Sequence, residues 1–67
     1  MSIQKERANM QKAIDKVRKS ILTATCIECE TIDACTFQVS FIDSYHGHWV
    51  VVEVKVYAKS VKISRQL

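Results

Sequence analysis

The sequence predicts an α+β domain in which one N-terminal helix lies across one face of a three- to four-stranded antiparallel meander, in the order α-β-β-β. Three observations lead there. Apolar side chains recur at helical spacing through the first 22 residues. Residues 35–41 alternate apolar and polar side chains, and every second residue from Val50 to Ala58 is apolar. The 67 residues contain no proline and one glycine, so few breaks interrupt regular structure, and one domain is expected over residues 1–67.

The helix is expected over residues 3–22. Ser2 supplies an N-cap hydroxyl, although Lys5 rather than an acid stands three residues on, so no capping box forms. Ile3, Met10, Ala13, Ile14, Val17 and Ile21 share one helical face, and Lys5, Lys12, Lys16 and Lys19 gather on the opposite one. That lysine stripe reads either as a solvated back face or as a contact for phosphates or for an acidic protein surface.

At Thr23 the pattern turns to β. Residues 24–31 form the first strand, with Ile27 and Cys29 on one side and Cys26, Glu28 and Glu30 on the other. In "CTFQVSF", Cys35, Phe37, Val39 and Phe41 point inward, and Thr36, Gln38 and Ser40 outward. In "WVVVEVKVYA", Val50, Val52, Val54, Val56 and Ala58 point inward, and Trp49, Val51, Glu53, Lys55 and Tyr57 outward. Matching the inward rows pairs Phe41 with Val50, Val39 with Val52 and Phe37 with Val54. This leaves the four-residue loop "SYHG", where Gly47 takes positive φ. The alternation slips after Ala58, so a bulge or bend is expected near Lys59–Ser60, followed by a short fourth strand or a strand extension.

A chain this short has a core that rarely supplies more than about 3–5 kcal/mol, so a disulfide, a metal or a second subunit often assists. Its net charge of +3 is unevenly distributed: +4 over residues 1–22, −5 over 23–54, and +4 over 55–67. Two basic ends around an acidic middle suggest complementarity within or between subunits as much as a polyanion ligand. No apolar run reaches the roughly 18 residues of a membrane span. The N-terminal "MSIQKERANMQKAIDK" lacks the apolar core of a secretion signal. A cytoplasmic location with three free thiols is expected.

Cys26, Cys29, Cys35, His46 and His48 invite a zinc reading, since "CIEC" has the C-x-x-C spacing. The geometry opposes it. A strand sends positions i and i+3 to opposite faces, and no Gly or Pro supplies a tight turn there. The expected register puts Cys35 at the far end of the hairpin from the histidines, roughly 23 Å away at about 3.3 Å per residue. Metal bonds are about 2.0–2.3 Å. No metal and no cofactor is expected, and His46 and His48 are assigned to the turn. Catalysis is not expected either. Cys29 and Cys35 face inward, away from any histidine, and only Cys26 could approach His48. No Gly-rich phosphate loop occurs, and Glu28, Glu30 and Glu53 lie on a sheet face.

The outward row of the third strand carries the functional expectation. Trp49, Val51 and Tyr57, beside Cys26, Thr36, Gln38 and Ser40, form either a contact surface or a second core layer beneath a folded-over C-terminal tail. The expected function is a small intracellular protein-binding module, an inhibitor or adaptor acting by surface contact. It has the size of small phage-encoded proteins that oppose host defences, a likeness of size and not of motif. The expected contact residues are Trp49, Val51 and Tyr57, with Lys12, Lys16 and Lys19. The partner is another protein, including a second copy in a homodimer. Nucleic-acid binding through the basic helix face and a purely structural homo-oligomer are the alternatives.

Overall fold

A computed structural model describes the chain's backbone from residue 2 to residue 67 and its side chains from residue 7 onward. Helix α1 (Ser2–Ser20) precedes strands β1 (Ala24–Thr31), β2 (Thr36–Asp43), β3 (His48–Val56) and β4 (Val61–Gln66). The strands form one antiparallel sheet in the order β1-β2-β3-β4. The expected N-cap at Ser2 and the facing of Ile3 and Lys5 lie outside the described side chains.

The helix ends at Ser20 rather than at residue 22. The N–H of Ile21 still donates to the Val17 carbonyl at 2.8 Å, and the N–H of Ala24 donates to Ile21 at 3.1 Å, closing the turn that sends the chain into β1. Arg18 and Lys19 occupy the last turn, where positive charge meets the negative end of the helix dipole. One helix covers one sheet face, and the core lies between them: Ala13 and Val17 against Phe37, Val39, Phe41, Val52, Val54 and Val56. Met10 and Ile21 pack at its margin. Ile14, placed on the apolar face from sequence, is only half-buried. Asn9 is 7% exposed, and its amide donates to the Ala34 carbonyl at 3.0 Å, tying the helix to the β1–β2 loop.

The β2–β3 hairpin has the register read from its alternation: Phe41 opposite Val50, Val39 opposite Val52, Phe37 opposite Val54. Gly47 takes φ +73° in the four-residue loop, where a side chain would be strained. Strand β3 stops at Val56, two residues short of the alternation. Tyr57 and Ser60 close a turn through a 2.7 Å backbone hydrogen bond, so Ala58 is exposed instead of inward. The tail then forms β4 beside β3, with Val61 and Ile63 packed against the core. A register shift between Glu53 and Val54 leaves Ser64 as the extra residue of a bulge.

The other departures occur where a loop meets β2 and within β1. Cys35 precedes β2 and is exposed, although alternation placed it inward. The Asp33 carboxylate accepts from the Cys35 N–H at 2.9 Å, and the Ile32 and Asp33 N–H groups donate to the Thr36 carbonyl. This loop folds over the start of β2. Thr36, expected on the open face, is therefore 8% exposed. In β1, Cys26 and Ile27 together oppose Phe41, and Cys26 adopts φ 52°. That left-handed conformation normally falls to glycine at such a bulge and costs another residue about 1–2 kcal/mol. The bulge breaks the strict alternation expected along β1.

Candidate contact surface on the uncovered sheet face

With α1 on one face and β4 beside β3, no described element lies across the second face of the sheet. The tail therefore builds no second core layer. The register fixes which side chains adjoin on this open face. At the hairpin end, Thr25, Ile42 and Trp49 stand in one row. The next row holds Glu28, Ser40 and Val51, and Leu67 reaches it through a 2.8 Å hydrogen bond from its N–H to the Val51 carbonyl. Trp49 is 55% exposed and Leu67 53%. Ile42 and Val51 between them are half-buried.

A charged belt follows. Glu30, Gln38, Glu53 and Arg65 form the third row, and Arg65 Nε donates to Glu53 Oε2 at 2.7 Å. Lys55 and Lys62 form the fourth, beyond Thr36. Tyr57 comes after this belt, in the β3–β4 turn. Eight residues at about 3.3 Å each put it roughly 26 Å along the strand direction from Trp49. The structure brings Trp49 and Val51 together and leaves Tyr57 apart. Ile42 and Leu67 were missed from sequence. The Phe41 facing already implied an outward Ile42, whereas Leu67 became visible only with the register of β4.

The lysine stripe is also displaced from its expected place. Lys12, Lys16 and Lys19 line, with Asp15 and Val61, a groove between α1 and β4. They occupy the flank of the helix and not its solvent back, and Lys16 is half-buried. The stripe runs along the β4 flank on the helix side of the sheet, whereas Trp49 faces outward on the opposite side.

In the hairpin loop, Asp43 organises the turn. Its carboxylate accepts from the Tyr45 N–H at 3.0 Å and pairs with His46 Nδ1 at 2.8 Å. The His46 ring stacks on His48, with centroids 5.5 Å apart. His48 begins β3 opposite Asp43, so only His46 of the pair is a loop residue. Among the described residues no three metal-ligating side chains gather. His46, then the Thr23 hydroxyl and the Tyr45 and His46 N–H groups, hold the Asp43 carboxyl down at about 2, against a smaller opposing effect of desolvation. A depressed carboxyl contributes stability that is complete above its unfolded value near 3.8 and is lost as pH falls through about 2. Thermal unfolding followed from pH 5 to pH 2 should therefore show a falling limb that Asp43→Asn flattens. Asp33 is also lowered, chiefly by the Cys35 N–H, and contributes in the same sense. Equal slopes in both proteins would contradict this role for Asp43.

The cysteines are free thiols, Cys26 and Cys35 exposed and Cys29 half-buried. Burial pushes the Cys29 thiol up from its ordinary value, away from the thiolate that nucleophilic chemistry needs. No helix among the described residues is long and apolar enough to cross a membrane. Comparison of the chain with protein-family models, with curated proteins and with solved structures finds no match.

Proposed function

We propose that the domain is a protein-binding module, a small cytoplasmic inhibitor or adaptor that acts by contact and without catalysis. Its contact surface is the hairpin end of the open sheet face. The observation that carries this is the adjacency of Ile42, Trp49, Val51 and Leu67 on a face that no described element covers. A half-exposed Trp ringed by aliphatic side chains is the composition that dominates binding energy in protein interfaces. Three free thiols suit a reducing compartment. The length of 67 residues is that of small phage-encoded inhibitors of host machinery, a likeness of size alone.

The test is capture of partners from the source lysate by the wild-type chain and by two single variants, with partners identified by mass. Trp49→Ala should weaken the main partner by about 30-fold, the effect of losing a central interface aromatic worth about 2 kcal/mol. Tyr57→Ala, beyond the charged belt, should leave capture intact. Full retention by Trp49→Ala would sink the proposal. The nucleic-acid alternative is weaker because Glu28, Glu30 and Glu53 share the open face with Trp49, while the lysine stripe lies on the α1–β4 flank.

A further inference from the structure

We infer that the two open edges of the sheet are complementary halves of one interface, through which copies of this chain join head to tail into an extended antiparallel sheet. This interface does not use the Trp49 surface. The edges are β1 and β4, each with backbone groups that no neighbouring strand takes up. Their charges are opposite. On its outward side β1 carries Glu28 and Glu30, and Asp33 follows in the loop; no Lys or Arg occurs anywhere from residue 23 to residue 54. On its outward side β4 carries Lys62 and Arg65. Both are exposed, but Arg65 is engaged with Glu53, so Lys62 is the cation of that edge with no ion-pair partner among the described residues. The helix lysines reinforce the same flank, lining the groove beside Val61.

Strand direction permits the junction. In a four-stranded meander β1 and β4 run oppositely. A second copy placed with its β1 against the first copy's β4 therefore continues the antiparallel order and keeps its helix on the same face. Facing then selects a register. Setting Glu30 opposite Lys62 on the outer side sets Cys29 opposite Ile63 and Thr31 opposite Val61 on the inner side. Cys29, Val61 and Ile63 are half-buried in one copy, and this register covers them. The two symmetric alternatives are unfavourable. Pairing β1 with β1 opposes Glu28 and Glu30 to themselves, and pairing β4 with β4 does the same to Lys62 and Arg65; like charges across a strand pair destabilise it.

The bulges at Cys26–Ile27 and at Ser64 confine regular pairing to Glu28–Thr31 on one side and Val61–Ile63 on the other. The association is accordingly reversible and sensitive to salt. As a head-to-tail contact it generates a ring or an open string, according to sheet twist.

Sedimentation of the purified chain over a range of concentrations, at low and high salt, tests this. The mass should rise above the monomer with concentration at low salt and return to it at high salt, a readout that needs no variant. Lys62→Glu alone, and Glu28→Lys with Glu30→Lys, should each weaken association by about tenfold or more. An equimolar mixture of the two variant proteins should regain it, because each then offers an edge that complements the other. Regain also demonstrates that both variants are folded. A wild-type chain that stays monomeric at every concentration would overturn the inference, as would a mixture no better than its parts or an association that only Trp49→Ala abolishes. A monomer that instead binds a single-stranded oligonucleotide through Lys62 would assign the basic flank to phosphate.

Discussion

Phe37→Ala is expected to destabilise the domain by about 5 kcal/mol and Phe41→Ala by about 3 kcal/mol, opposite ends of the range for removing a buried phenyl ring. Both side chains are fully buried on the helix side of β2. They differ in what lies beside them. Phe41 lines a cleft of about 390 Å³ with Ile21, Val50, His46 and His48, between the end of α1 and the hairpin loop. Its removal deepens a space that water already reaches, so the loss is chiefly the transfer free energy of the ring. Phe37 is 0% exposed and pairs with Val54 beneath the end of the sheet that Asn9 and the β1–β2 loop close over. Its removal leaves a closed void and adds the cavity contribution. Against a core worth roughly 3–5 kcal/mol, Phe37→Ala leaves the chain unfolded and Phe41→Ala leaves it marginal. Denaturant titration followed by circular dichroism separates the two. A smaller loss for Phe37→Ala than for Phe41→Ala would contradict the placement of the cleft.

The second large effect comes from comparing adjacent residues. Val39 is wholly buried at the centre of β2, between Cys29 and Val52. Ser40, next in sequence, lies on the open face between Glu28 and Val51. Val39→Asp buries a carboxylate without a partner, at a cost of several kcal/mol, and should unfold the domain at neutral pH. Burial favours the protonated carboxyl, so the folded form regains ground as pH falls towards about 4. Ser40→Asp should fold, with a penalty of about 0.2–1 kcal/mol from the facing Glu28. Circular dichroism of both variants at pH 7 and pH 4 reads the contrast. A folded Val39→Asp at pH 7 would mean that the strand facing is inverted.

The facing in that contrast was legible in the sequence because β2 and β3 are interior strands with one buried face. There a slip of one residue would expose every valine, so the alternation fixes the register. The same logic failed at the ends of strands. Cys35, Thr36, Tyr57 and Ala58 continue the alternation, but the Asp33 carboxylate and the Tyr57–Ser60 turn decide their environment, and neither has a period. The bulge in β1 was hidden because its left-handed position holds Cys26 and not glycine. The fourth strand was visible in Val61 and Ile63, while its phase depended on the extra residue Ser64. For the proposed contact surface, the outward facing of Trp49 and Val51 was legible from alternation alone. The separation of Tyr57 required the knowledge that β3 ends at Val56. The lysines were found by helical spacing, but that spacing does not say which flank of the helix meets β4.

The order of strands in the sheet also has a kinetic consequence. Every strand pairs with the one next to it in the chain, through short connections, so the sheet is assembled from contacts of low sequence separation. The loop-closure entropy that slows Greek keys and parallel sheets is small here. The long-range step is the docking of α1, which touches all four strands and reaches β4 at the far end of the chain. Hairpin formation around the Asp43 turn can therefore precede helix docking, and the helix consolidates a sheet whose neighbours have already met. Short connections of this kind favour rapid assembly of the sheet. Until α1 docks, the valine face of β3 is open to solvent, and that is the interval in which the domain is most exposed to aggregation.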